Sequence, residues 1–253
     1  MTKVLSIDLD YISNPYSELI RQMFAMNSSY RWTKFIKETP FDKSHFFIDQ
    51  SNLLFCFNIF LKSLKSDPKV SFGYDHDSIL FSIDKETDIE LINIDQHDDI
   101  FEGIGKSPQD EYEAVTKHNL INQGNWGVWL HSTKRLKSFT WIKNNNSDGT
   151  GSRDERGKQF LGNLYESYLK EEYKFDNYDF DHVFVCLSPQ YIFPDHWHYF
   201  SMFISAYEEF SGKTATIYTE KYETHVRHLK LHDQILNQCS SKMTFNNLRK
   251  NLN

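Results

Sequence analysis

Three short apolar runs in this 253-residue chain each end on acids or histidines, and no other feature constrains the fold as much. Val4, Leu5 and Ile7 lead to Asp8 and Asp10. Val70 and Phe72 lead to Asp75, His76 and Asp77, and Ile89, Leu91, Ile92 and Ile94 lead to Asp95, His97, Asp98 and Asp99. Short apolar runs bounded by turn signals read as strands buried on both faces. Strands of that kind alternating with helical patterns imply an α/β fold whose mostly parallel sheet is covered on both sides. In such sheets ligand sites lie at the carboxyl ends of the strands, where all three clusters fall.

The pattern predicts strands over 3–11, 69–72, 89–94, 127–130, 138–143, 182–187 and 214–218. Helices are expected over 17–37, 49–65, 158–170, 197–211 and 222–239. The second of these has the clearest signal, an Asp or Ser cap before a broad apolar stripe. Residues 144–157 (NNNSDGTGSRDERG) read as a polar, mobile loop. No internal repeat is visible, and a chain of this length is expected to form one domain over 1–253, with a polar tail from about 240.

Composition narrows the partners. A net charge of −7 argues against nucleic acid and anionic membrane, and favours a metal ion, a cationic substrate or neither. Cys56, Cys186 and Cys239 are far apart and lack CxxC spacing, so neither a disulfide framework nor a thiolate zinc site is indicated. With no signal-like N-terminus and no apolar run of the roughly 18 residues a membrane span needs, a reducing cytoplasm is the expected location. The oligomeric state is left open, a homo-oligomer included.

Asp95-x-His97-x-Asp99 carries the most chemistry. Alternate positions at a strand end point the same way and present two oxygen ligands and one nitrogen together, a set that suits Mn, Fe or Zn better than Mg or Ca. Taken alone, the motif also reads as a hydrated acidic turn. Asp8 and Asp10 would share a strand face, and two buried carboxylates repel unless a cation lies between them. His76 alone reads equally as a core or capping residue. Three such clusters ending three buried strands point to one shared metal site.

These segments resemble those of the arginase and agmatinase family, the ureohydrolases. Gly73-Tyr74-Asp75-His76-Asp77-Ser78 is similar to the family's GGDHS segment, and Asp95-Gln96-His97-Asp98-Asp99-Ile100 to its D-A-H-x-D-I segment. Ser6-Ile7-Asp8-Leu9-Asp10, with Pro15 soon after, is similar to its S-x-D-x-D segment. The resemblance implies a three-layer α/β/α sandwich of the arginase/deacetylase kind and two Mn(II) ions. One would be held by His76, Asp95, Asp99 and Asp8, the other by His97, Asp95, Asp8 and Asp10. Here the S-x-D-x-D strand comes first rather than last, a permuted order resembling a less-studied branch that includes peptide arginases. That branch implies a hydrolase of linear amidines. Its partner would be an arginine-containing, ribosomally made precursor peptide, whose arginine side chains become ornithine with release of urea.

Departures from the family bear on the substrate. Phe101 stands where an Asn contacts the carboxylate of free arginine. Gly124-Asn125-Trp126-Gly127 lacks the proton-shuttling His of G-N-L-H-G, leaving His131, His196, His198 or solvent for that role, with Asp99, Gln190 and His196 the catalytic candidates. Gln190 could accept from a guanidinium, whose rigid fork of donors needs an acceptor; it is equally a strand-end Gln. Asp195, beside His196, also reads as a helix N-cap. The candidate pocket comprises Tyr11, Tyr74, Phe101, Asn125, Trp126, Gln190 and Tyr191, although each aromatic also reads as core. Other classes stay open: a ureohydrolase of a small guanidino compound, a one-zinc amidohydrolase of the deacetylase kind, and a non-catalytic, metal-stabilised binding module.

Overall fold

Five consecutive buried residues, Val4 to Asp8, make β1 (Thr2–Asp8) a central strand, because only a strand with neighbours on both sides and cover on both faces buries such a run. In the computed structural model, which describes residues 1–15, 46–100, 108–118, 120–145, 147, 150–189 and 191–218, β1 lies between β5 (Ile89–Ile94) and β8 (His182–Cys186). The sheet is completed by β4 (Lys69–Gly73), β6 (Leu136–Lys143), β7 (Tyr165–Leu169) and β9 (Thr216–Tyr218), in the order β7-β6-β5-β1-β8-β4-β9. Every described pairing in it is parallel.

Helices flank both faces. Leu5 and Ile7 of β1 and Val183 and Val185 of β8 pack with α1 (Gln50–Ser63) and α6 (His198–Ser211), where Phe57 meets Phe203 edge-on at 5.2 Å. Val4, Phe184 and Cys186, pointing the opposite way, join α2 (Ile79–Ser82), α3 (Pro108–His118), α4 (Trp126–Ser132) and α5 (Thr150–Leu161). Asp49 starts α1 as anticipated, its Oδ1 accepting from the backbone N–H of Ser51 at 2.9 Å and of Asn52 at 3.0 Å. No helix among the described residues is long and apolar enough to cross a membrane. Cys56 and Cys186 are buried free thiols.

Several boundaries differ from the sequence reading. The first strand stops at Asp8, and Leu9–Ile12 forms a 3₁₀ turn that Asp8 caps through its side chain. Residues 127–130, expected as a strand, belong to α4, since a four-residue apolar run fits either state and only its packing decides. The polar stretch 144–157 already contains the start of α5, which ends at Leu161; Gly162, at φ 58°, terminates it in the left-handed conformation. The anticipated helix over 158–170 therefore gives way to strand β7. As an edge strand β7 tolerates the polar Glu166 and Ser167 that hid it. Helix α3 and the short antiparallel pair β2 (Ser13–Pro15) and β3 (Phe46–Ile48) carried no signal that singled them out. The helices anticipated over 17–37 and 222–239, the polar tail, Phe101 and Gln190 lie outside the described residues.

Candidate metal centre

Strands β5, β1, β8 and β4 are consecutive in the sheet, so their carboxyl ends deliver side chains to one place. β1 supplies Asp8, the turn after it Asp10, the segment after β4 His76, and the segment after β5 Asp95, His97 and Asp99. Gly73, where β4 ends, permits this convergence: a Cβ there would sit 2.6 Å from Cζ of Phe184. The Phe184 ring in turn stacks near-parallel to the His76 ring at 6.0 Å, and Trp126 closes against His76 at 4.9 Å.

Around His76 Nδ1 lie carboxylate oxygens of Asp99 at 2.5 Å, Asp95 at 3.1 Å and Asp8 at 3.2 Å. One ring nitrogen carries at most one proton and can satisfy one of these oxygens. Its other nitrogen, Nε2, is occupied by Ser6 Oγ at 2.6 Å. Ligand atoms about 2.1 Å from a common ion and at right angles to each other would be about 3 Å apart, close to what the Asp8, Asp95 and His76 atoms show. A second group adjoins the first: Asp10 Oδ2 is 2.8 Å from His97 Nδ1, and Asp95 Oδ1 is 3.9 Å from it. The described residues thus contain two groups able to hold a metal ion, Asp8–His76–Asp95 and Asp10–Asp95–His97, with Asp95 common to both.

Electrostatics favour a cation. Among the described residues no Lys or Arg pairs with Asp8, Asp10, Asp95 or Asp99. Burial, reinforced by the Asp95 charge, raises the Asp10 carboxyl to about 6. Burial, reinforced by Asp99 and Asp8, raises Asp95 to about 6. Asp8 is raised by burial and by Asp10. Burial alone would lower His76, but the Asp99 charge and the hydrogen bonds of Asp8, Asp95 and Asp99 outweigh it and hold its pKa well above the ordinary value. Without a metal these carboxyls hold their protons to higher pH than free ones do; divalent ions would replace the protons and let the carboxylates ionise.

The expected geometry needs one correction. Asp8 with Asp10, and Asp95 with His97 and Asp99, do not share a face by strand alternation, because β1 ends at Asp8 and β5 at Ile94. They are gathered by turns instead. Asp8 Oδ1 accepts from Asp10 N at 3.0 Å, Asp95 Oδ1 from His97 N at 2.8 Å, and Asp10 Oδ1 from Gln96 N at 3.3 Å. Asp99 is left-handed at φ 54°, and its carbonyl accepts from Gly127 N at 3.2 Å.

Other anticipated residues fall in different places. Trp126 is fully buried and donates its indole N–H to Asp99 Oδ2 at 2.8 Å, so it holds that carboxylate rather than lining an open wall. Asn125 is equally buried and braces its own turn, accepting from Asn122 N and donating to Leu120 O. Tyr11 and Tyr74 are in the apolar core. Tyr191 alone of the described pocket candidates is partly exposed, its ring 4.9 Å from that of His97. His196 Nε2 lies 3.1 Å from Phe46 O, His198 Nδ1 lies 2.8 Å from Asp195 O, and His131 is in the last turn of α4. None of the three bonds to a cluster carboxylate among the described residues. Asp195 is not at an N-cap position: Phe193 and Trp197 occupy those.

Sequence reasoning gave no role to four supporting residues. Ser6 meets His76, Asn93 Nδ2 donates to Asp95 Oδ2 at 3.2 Å, Trp141 Nε1 donates to Asp95 O at 2.9 Å, and Ser188 Oγ donates to Asp8 Oδ2. Ser6 and Asn93 each precede a cluster carboxylate, Asp8 and Asp95, by two positions, and a polar residue at that spacing inside an apolar strand was a usable signal. Comparison of the chain with protein-family models, with curated proteins and with solved structures finds no match.

Proposed function

We propose that this cluster is the binuclear metal centre of an arginase-like hydrolase with permuted motif order, built on a three-layer α/β/α sandwich. Its substrate is an arginine side chain within a precursor peptide, converted to ornithine in the cytoplasm. The observation that carries the reading is the sharing of Asp95 between two buried carboxylate–imidazole groups. The donors fit two Mn(II) ions, being rich in oxygen with one imidazole for each. Asp8, His76, Asp95 and Asp99 would hold one ion, and Asp10, His97, Asp95 and Asp8 the other. Such a pair, when bound, supplies Lewis acidity and a water deprotonated near neutral pH.

The chain's own residues supply position and exclusion. Trp126 and Asn93 keep Asp99 and Asp95 in place, while Phe184 and Trp126 wall off His76. The side chain of His97 is 17% exposed against 1% for His76, so substrate would approach from the His97 side. There the Tyr191 ring offers a face on which a guanidinium can stack, and Gln190 is the acceptor proposed to orient it. Hydrolysis adds one water to the guanidinium carbon and breaks its bond to the side-chain nitrogen, which leaves as the ornithine amine after taking a proton from His196 or solvent. Phe101, in place of a group able to bind the carboxylate of a free amino acid, and the net charge of −7 both favour a cationic peptide.

A urea-release assay with Mn(II) tests this, comparing free arginine, agmatine and arginine-containing peptides. Peptide-dependent urea that disappears in Asp8→Ala and His97→Ala is the expected outcome; undiminished activity in both variants would contradict the proposal.

A further inference from the structure

Ser188 lies two residues beyond β8, between the two strands whose ends provide Asp8 and His76. Its backbone is left-handed at φ 46°, a conformation that strains a residue with a Cβ unless its surroundings enforce it. They do enforce it. Ser188 N donates to Tyr74 O at 3.0 Å, and Ser188 O accepts from Tyr191 N at 2.9 Å and Ile192 N at 3.3 Å. Glycine would satisfy this backbone with less strain, so the serine side chain needs a reason of its own.

The hydroxyl is buried, with Ser188 only 1% exposed, and it donates to Asp8 Oδ2. That oxygen is the one facing His76 Nδ1 at 3.2 Å, whereas Asp8 Oδ1 is held by Asp10 N. Both oxygens of this carboxylate are therefore fixed, and on Oδ2 the hydroxyl takes one lone pair and leaves the other directed toward His76 and Asp95. Cys186 Sγ lies 3.3 Å from Ser188 Oγ, and with the hydroxyl donating to Asp8 the thiol can donate to it.

We propose that Ser188 is a positioning residue: its hydroxyl holds Asp8 in the orientation that ligates the ion shared with His76 and Asp95. The proposal rests on the metal-centre reading above but not on the identity of the substrate. Outer partners of metal-binding carboxylates typically contribute 10- to 100-fold in affinity.

Two variants separate this role from a backbone one. Ser188→Ala removes the hydroxyl and keeps the strain; Ser188→Gly removes both and leaves the backbone at least as comfortable. Mn(II) uptake is followed by the free-ion signal in electron paramagnetic resonance, and the ion pair by its exchange-coupled spectrum. The wild-type chain is expected to take up two ions and show coupling. Both variants should lose about 10- to 100-fold in affinity for one ion, and the coupled spectrum with it, while retaining the ion at Asp10–Asp95–His97. Two ions bound with wild-type affinity and coupling in both variants would overturn the role of Ser188 alone. A wild-type chain that takes up no Mn(II) would overturn the metal reading and this proposal together.

Discussion

The two ends of the sheet use similar residues to opposite effect. At the amino ends, His182 faces one carboxylate, Glu86, at 3.3 Å, and Thr2 Oγ1 shares that carboxylate at 2.9 Å. Basic groups are at hand: Arg135 donates to the carbonyls of Glu86 and Ile83, and Lys69 to that of Ser82. At the carboxyl ends, His76 faces three carboxylates, and no Lys or Arg among the described residues pairs with any of them. The amino end keeps basic side chains beside its single carboxylate; the carboxyl end gathers carboxylates that could hold a metal ion.

Ligand substitutions should split the two ends most widely. Asp95→Asn, which removes charge common to both groups, should reduce Mn(II)-dependent urea release by more than the roughly 100-fold typical of an outer-partner loss, and metal analysis should find the ions absent. Glu86→Gln at the other end should leave metal content and activity unchanged. Equal losses in both variants would remove the distinction.

Gly73→Ala tests whether packing under His76 serves the centre. Its Cβ would meet Phe184 at 2.6 Å, and overpacking of this kind costs about 1–3 kcal/mol. Calorimetry should show a fall in Tm of about 2–4 °C for each kcal/mol, together with weaker Mn(II) binding as Phe184 shifts against His76. A lower Tm with unchanged metal affinity would separate the two effects. Trp126→Phe keeps an aromatic ring in this place, at the cost of a small cavity, and deletes the donor to Asp99; Mn(II) affinity should drop about 10- to 100-fold with the fold retained, as measured by calorimetric titration.

The smallest effect is one of sign. Asp10 and Asp95, raised from 3.8 to about 6, hold more protons when folded than when unfolded. Their contribution to the metal-free protein is present below about pH 4 and is lost as pH rises through about 6. His182, lowered chiefly by burial from its ordinary 6.5, acts oppositely: its contribution is present above that value and is lost as pH falls. Mn(II) bound in the proposed centre would displace protons from the carboxyl end only, so the Tm gained on adding Mn(II) should grow from pH 5 to pH 7.5 in wild type and equally in His182→Gln. A gain independent of pH would place the ions elsewhere.

Much of the centre was legible because it lies next to strand ends, where apolar runs stop at a definite residue. Ile89–Ile94 was read to its exact bounds, and the acids after it follow at once. What the sequence hid is tertiary. The turns that gather Asp10 and His97 depend on side chain-to-backbone hydrogen bonds, which have no periodicity. The indole of Trp126 looks like a pocket wall until its N–H is seen to meet Asp99. The role of Ser188 is visible only in its left-handed backbone and its contact with Asp8, 180 positions away. Strand β7 was lost because an edge position relaxes the apolar pattern by which strands are recognised.

The central claim is that Asp95 joins two ion sites, and counting bound Mn(II) in the wild type, His97→Ala and Asp95→Ala tests it most directly. Two ions per chain, one and none at matched free Mn(II) is the expected series. Two ions retained by Asp95→Ala would contradict it.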